Sequence, residues 1–478
     1  MTTIRLSGRY SLDSPRINGY NPSCAVFLRD IFSIPFDEVG MLVRLFGRNF
    51  RSIKEPFELS LVAADLTRKE DCNRGTIAVP ISGMAEPLRL LRTLGVYGPN
   101  ASGKSSLLVA AKALRWLATE SSPRSKPDQK IATYDPFLLD DKTKAAPVEL
   151  GCDVVFKKSL LRYEIKFTSK AIQTEFLTLI DKDGEHKLIE RHATGEVRGQ
   201  LILDNEANRL YVREMQPNVA VLSKLAQHGP RNGKGSVNLY YKAIRNATHH
   251  EDYADAAEEM IKLGESSADE KFADDPEYRE WIMKHLIRAA DIGISDVRTR
   301  RESFKMPASI RESLEKSGFP GKIPDTRVIV EFLHAGAKSG TISFGEESAG
   351  TKKLFNIASR WWAMANQEIA LFADELSASL HPRLLNGLVC SVNEPTSEKV
   401  RSQLIFATHD TGLLESQDGL PPALRRDQVY FTKKDAQGST ELYSLTEFKE
   451  DARAVHNIRK RYLSGIYGAL PSVEKLSL

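Results

Sequence analysis

Hydrophobic and polar positions first fall into a clear pattern at Met41. MLVRLFGRNFRSIKEPFELSLVA (residues 41–63) alternates apolar and polar residues in two runs, broken by a charged turn at Lys54 to Pro56. Period-two alternation places one face of a segment on a core, so this stretch predicts two strands. LRLLRTLGVYG (residues 88–98) predicts a buried strand ending in glycine. KSSLLVAAKALRWLATE (residues 104–120) repeats apolar residues at helical spacing. Residues 121–147 form a polar connection containing Pro123, Pro127, Pro136 and Pro147. Residues 148–180 hold three alternating segments with short turns, which predicts an antiparallel sheet. Short strands and loops continue over residues 181–245, with one helix near Val219 to Gln227. Alternation resumes at TRVIVEFLHAG (residues 326–336). EIALFADE (residues 368–375) and RSQLIFATHD (residues 401–410) predict two buried strands with a helix between them. A strand near Val429 to Thr432, a hairpin to Leu445 and a basic tail complete the chain. Strands alternating with helices give an α/β fold with mixed and antiparallel sheets.

Composition narrows the class. The 478 residues are 41% apolar and 27% charged, which is enough to bury a sizeable core and excludes a wholly disordered or collagen-like chain. Lys plus Arg is 67 against 63 for Asp plus Glu, a net charge of +4, which argues against a polybasic binder. The balance is local, however. Residues 251–280 carry twelve acidic and three basic residues, while residues 281–322 are net positive. The acidic stretch reads first as a solvated helical face, and as a nucleic-acid mimic or a dock for a basic partner only if it has a role. Cys24, Cys72, Cys152 and Cys390 form no CxxC pair, so a reduced, cytoplasmic protein without a zinc site is expected. No apolar run approaches a membrane span, and the N-terminus lacks an apolar signal core.

The candidate chemistry begins at the end of the strand over residues 88–98. Gly98, Pro99, Asn100, Ala101, Ser102, Gly103, Lys104 and Ser105 match GxxxxGK[ST] between an apolar strand and a strong helix. Glycines let the backbone wrap a phosphate, so that N–H groups and the helix N-terminus face the anion. In this reading Lys104 neutralises the β- and γ-phosphates, Ser105 ligates Mg²⁺, and Ser106 follows on the first helical turn. The bland alternative is a glycine-rich strand-to-helix turn. Gly229 to Ser236 (GPRNGKGS) is a decoy with neither the spacing nor a preceding strand, and reads as a surface loop.

Asp374 and Glu375 end the next buried strand, where open α/β sheets place ligands. Asp374 is suited to hold Mg²⁺ through water, and Glu375 to orient or polarise an attacking water. Alone, the pair could be an acidic loop start. His409 ends the following strand, where an imidazole can contact a γ-phosphate; alone, it could be a solvated or capped residue. Basic residues at Arg298, Arg300, Arg301, Lys305, Arg425, Arg426, Arg459, Lys460 and Arg461 could meet nucleic-acid phosphates, with solvated surface as the commoner role.

In order along the chain, GPNASGKS, SAGTKKLF, LFADELSASLHP and ATHD resemble the motifs of ABC-class ATPases, in the branch that holds the SMC- and OLD-like proteins. DELSASLHP (residues 374–382), NFRS (residues 49–52) and KRYLSGIYGALP (residues 460–471) resemble the stand-alone bacterial AAA ATPases grouped with the RloA, PtuA and AriA proteins, many of them in anti-phage defence systems. The resemblance implies an ABC-type ATPase head: an N-terminal extension (1–40), an N-terminal lobe (41–245), a largely helical insertion (246–325) and a C-terminal lobe (326–478). It implies ATP and Mg²⁺ as cofactors and places Arg51 at the nucleotide. It also makes Ser348-Ala349-Gly350-Thr351 a degenerate signature, so that Ser348 and Gly350 act across a nucleotide sandwich in a homodimer or higher homo-oligomer. Read from the residues alone, Ser348 is a helix N-cap.

The 270 positions between Lys104 and Asp374 argue against a transporter ATPase. Only 69 residues follow His409, fewer than a Toprim nuclease of about 100 residues needs, and no second catalytic cluster is evident. The expectation is an ATPase that senses a DNA or phage-protein trigger and controls a separately encoded nuclease or toxin, away from membranes. A RecF- or SMC-like DNA-maintenance ATPase and an ATP-gated scaffold are the competing readings.

Overall fold

The computed structural model describes residues 40–65, 74–203, 205–228, 236–250, 267–290, 293–303, 326–334, 341–416, 422–448 and 458–471. The N-terminal extension with Cys24, Cys72, the decoy glycines, residues 251–266 of the acidic stretch and Lys305 lie outside the described residues.

The first sheet is antiparallel and N-terminal. Its strands are β1 (Met41–Arg48), β2 (Phe57–Ser60), β6 (Val148–Phe156), β7 (Ser159–Phe167), β8 (Ile172–Asp181), β9 (Gly184–Arg191) and β10 (Val197–Arg198), in the order β10-β9-β8-β7-β6-β1-β2. β7 alternates buried and half-buried residues along its whole length, as its sequence period predicts.

The second sheet gathers strands that are far apart in sequence. Its order is β11 (His249–His250), β15 (Ala370–Ala373), β16 (Gln403–Ala407), β5 (Thr93–Tyr97), β17 (Val429–Lys434) and β18 (Thr440–Ser444). All but β18 run parallel, so the loops after β5, β15 and β16 emerge at one edge. Its central strands β15, β16 and β5 are buried on both faces, as a sheet covered on both sides requires. Ala370, Phe372, Ile405 and Ala407 face a core shared with the first sheet, whereas Leu371, Ala373, Leu404 and Phe406 face a second core.

Helix α1 (Lys104–Arg124) lies in the first core and buries Leu107, Leu108, Ala111, Leu114 and Leu117. It runs past the polar connection expected from residue 121 and has Pro123 inside its last turn. The second core is closed by α9 (Ala349–Asn366), α10 (Pro382–Asn393) and α11 (Ile458–Leu463).

Three differences from the sequence reading have physical causes. The strand expected over residues 88–98 divides at Arg92, whose buried guanidinium donates to the Thr76 and Val400 carbonyls. β4 (Leu88–Leu91) pairs with β3 (Thr76–Val79) in a separate two-stranded sheet, and β5 begins at Thr93. Residues 200–247 carry more helix than expected, because amphipathic faces outweigh weak local propensity: α3 (Gln200–Leu203), α4 (Glu206–Arg213), α5 (Val221–His228) and α6 (Ser236–Ala247) join the short α2 (Asp141–Lys144). Between residues 246 and 325, β11 belongs to the second sheet. The described remainder has α7 (Ser267–Asp274), α8 (Pro276–Ile282), a π turn and β12 (Ile294–Ser303). β12 pairs with β13 (Thr326–His334), which also pairs with β14 (Ile342–Ser343). Among the described residues no helix is long and apolar enough to cross a membrane.

Candidate active site

The loop after β5 is shaped by close contacts to the terminal hairpin. Gly98 has φ +154°, and a Cβ there would lie 2.5 Å from the Thr432 carbonyl oxygen. Gly103 has φ +107°, and its Cβ would lie 2.1 Å from Thr440 Oγ1. Only glycine satisfies both demands at these positions. Ala101 also takes a left-handed φ, +60°. The Ser102 hydroxyl lies 2.6 Å from Thr432 Oγ1, and Thr440 Oγ1 donates to the Ser102 carbonyl at 2.8 Å.

Lys104 is buried, and its ammonium donates to the carbonyls of Gly98 and Pro99, both at 2.9 Å. No side chain caps the start of α1. The Ser106 N–H bonds the Gly103 carbonyl at 3.0 Å, so the N–H groups of Lys104 and Ser105 are the ones suited to face an anion, with the ammonium beside them. Asn100, Ala101 and Ser105 are exposed around this loop. Ser106 turns inward, where its hydroxyl lies 2.8 Å from that of Ser52. Ser52 Oγ is also 2.9 Å from Thr440 Oγ1.

Asp374 and Glu375 follow β15 at the same sheet edge. Glu375 is left-handed at φ +46°, and its N–H donates to Asp374 Oδ1 at 3.0 Å. The Leu376 N–H bonds the Ala407 carbonyl at 3.3 Å, which holds this turn against the end of β16, two residues before His409. Electrostatics links the group. Burial lowers the Lys104 pKa, and the charges of Asp374 and Glu375 act to raise it. Burial first, and then the Lys104 charge, lowers the His409 pKa, again opposed by Glu375 and Asp374. Two cationic candidates and two carboxylates thus share one field at the mouth of the phosphate loop.

Ser348 caps α9, accepting from the Thr351 N–H at 3.1 Å. A Cβ on Gly350 would lie 2.8 Å from the Ser379 carbonyl oxygen, so α9 starts directly on the turn that follows Glu375 in the same chain. Arg51 is tied elsewhere. Its N–H donates to the Asp135 carbonyl at 2.6 Å, and its half-exposed guanidinium pairs with the Asp135 carboxylate at 3.2 Å. Within this segment Ser52, rather than Arg51, touches the phosphate-loop helix.

Of the basic residues that could meet nucleic acid, Arg425 is corrected, and several others have partners within the chain. Arg425 is buried and bonded to Asp427 at 2.7 Å, so it is a structural ion pair. Arg426 donates to the Leu445 and Phe448 carbonyls. Arg300 pairs with Glu302 and Glu331, Arg301 with Asp274, and Arg459 with Glu415. Neighbouring carboxylates therefore offset these charges locally. Ser52, Thr432 and Thr440 were missed in the sequence because a hydroxyl residue in a turn or strand carries no motif. Their contacts to the phosphate loop exist only across the folded lobes.

A family described as "AAA domain, putative AbiEii toxin, Type IV TA system" matches residues 94–415, from β5 through His409. No curated protein sequence matches the chain. Among solved structures, the SMC head domain from Thermotoga maritima is 11% identical at a TM-score of 0.36, over 84% of this chain and 98% of that one. The SmcHead in a crystal structure with the C-winged helix domain of ScpA is 11% identical at a TM-score of 0.35, over 84% of this chain and 97% of that one. The family match spans most of the chain and takes in the phosphate loop, the carboxylate pair and His409, and so this protein belongs to that AAA-domain family.

Proposed function

We propose that this chain binds Mg²⁺-ATP in an ABC-type head and hydrolyses it, as the regulatory ATPase of a two-component defence system. The observation that carries the reading is the meeting of Lys104, Asp374, Glu375 and His409 at one sheet edge beside a glycine loop. Lys104 and the backbone of residues 98–106 would bind the phosphates. Ser105 and Asp374 would hold Mg²⁺, which supplies Lewis-acid stabilisation of the phosphate charge. Glu375 would orient the attacking water, and the neutral His409 imidazole would contact the terminal phosphate. Ser348 and Gly350 would complete the site of a second copy, making the active form a homodimer or higher homo-oligomer. Arg51 would act at the rim, through its loop with Asp135.

The family description, which names a toxin and a toxin–antitoxin system, supports the defence role. The partner would be a separately encoded nuclease or toxin, held or released with nucleotide state in the cytoplasm and triggered by DNA or a phage protein.

Hydrolysis is tested with Glu375→Gln. Losing the water-orienting carboxylate lowers kcat by about 100-fold or more while ATP binding persists, so ATP is trapped in an assembled state. Equal turnover in wild type and variant would remove Glu375 from the mechanism. The two-component role is tested by copurification with the product of the neighbouring gene, with and without ATP. A purified chain that degraded nucleic acid by itself would defeat that role.

A further inference from the structure

The turn before α9 holds a buried carboxylate that the nucleotide chemistry does not call on. The Glu347 side chain is 5% exposed, and its Oε1 lies 2.6 Å from His334 Nε2. Its other oxygen accepts from the Ser348 N–H at 3.3 Å. A carboxylate removed from water is costly unless a cation or donors satisfy it, so the His334 contact keeps this turn in one geometry. The rest of the turn is equally fixed. Ser343 and Glu346 form a capping box, Lys352 Nζ donates to the Gly345 carbonyl at 2.6 Å, and Phe344 packs on Phe332 and Phe355.

His334 and Glu347 sit on different elements. His334 is the last residue of β13, directly opposite Ile294 of β12. β12 lies in the stretch inserted between the two lobes. Glu347 immediately precedes the cap of α9. On its far side α9 meets the catalytic turn, because Gly350 abuts the Ser379 carbonyl. That turn is continuous with Glu375, since the Ala378 N–H bonds the Glu375 carbonyl at 2.9 Å.

We propose that His334 is a positioning residue for hydrolysis: through Glu347 it fixes Ser348 and Gly350 against the Ser379 turn, so that the β12–β13–β14 sheet sets the geometry of the loop carrying Glu375. This rests on the nucleotide reading above. It gives β12, the one strand of this sheet that lies in the insertion, a mechanical route to the active site, so a ligand that reorders β12 changes turnover without touching the nucleotide.

The test uses the full chain with His334→Ala and His334→Gln. The alanine variant lowers kcat by about tenfold or more, with affinity for a fluorescent ATP analogue within about twofold of wild type. The glutamine variant, which can still donate to Glu347, retains most of kcat. Without nucleotide, amide hydrogen exchange of the His334→Ala chain quickens across residues 345–351 while β5 and α1 stay protected. A His334→Ala kcat within twofold of wild type, or kcat and affinity falling together with the melting temperature, would overturn the proposal. So would unchanged exchange over residues 345–351. A wild-type chain that bound no ATP would defeat the nucleotide reading itself, and the exchange arm would still decide whether His334 holds the turn.

Discussion

His409 carries a pH signature that follows from its position. Burial and the Lys104 charge hold its pKa below the ordinary 6.5, so the neutral imidazole persists at neutral pH. The unfolded chain takes up this proton at a higher pH than the folded one. The stability tied to the neutral ring is therefore present above pH 6.5 and is lost as pH falls through that value toward the folded pKa. Thermal melts between about pH 7.5 and 5.5 should show wild type losing more stability than His409→Gln. Equal slopes would mean that neither burial nor Lys104 depresses the pKa of the ring. At this scale the sequence was a good guide for the loop glycines, because a positive φ with a close approach needs one residue type. Arg51 was legible only as part of a resemblance, and its guanidinium turned out to face Asp135. Arg425 looked like surface charge, since a sequence does not show that Asp427 closes on it inside the core.

At the scale of elements, the β17–β18 hairpin acts as a clamp on the phosphate loop. Thr432 holds the Ser102 hydroxyl, while Thr440 holds the Ser102 carbonyl and the Ser52 hydroxyl. Thr440→Val keeps the shape of the side chain and removes the hydroxyl, leaving a buried carbonyl without its donor. The expected cost is about 1–3 kcal/mol in urea unfolding, with weaker ATP binding, and Thr440→Ser should restore both. ATP affinity equal to wild type in the valine variant would show that the clamp does not shape the loop. Strands with strict alternation, such as β7, and helices with one long apolar pattern, such as α1, could be read from sequence. The helices of residues 200–247 could not. Part of what starts α5 is a side chain from another strand: the buried Glu175 of β8 accepts from the Val221 and Leu222 N–H groups at 2.6 and 3.0 Å.

Across the whole molecule, one buried amide adds to the shared core and to the Tyr430–Ser60 contacts that join the two large sheets. Gln403 of β16 accepts from the Leu42 N–H at 2.8 Å and donates to the Leu42 and Leu91 carbonyls at 3.0 and 3.1 Å. All of these bonds are buried, and they join β16 to β1 and β4. Gln403→Leu fills the same space but strands three backbone groups, so we expect a loss of about 2–4 kcal/mol by chemical denaturation. A loss below about 0.5 kcal/mol would show that water or relaxation satisfies them. The sheet order also explains how residues hundreds of positions apart reach one place. β15, β16 and β5 are parallel neighbours, so their following loops share an edge whatever chain separates them.

By itself the sequence determined the local pattern: the glycine loop between β5 and α1, the carboxylates after β15, the histidine after β16, the cap at Ser348, and most strands of both large sheets. These are set by residue type and by periods of two and about 3.6, which act over neighbours a few positions away. Only the tertiary structure decided which hydroxyls shape the loop, which arginines are neutralised, and that Gly350 rests on the turn after Glu375. It also decided that His334 closes on Glu347. Those contacts join segments whose separation along the chain carries no periodic signal, and they form only when burial makes an unpaired polar group too costly to leave.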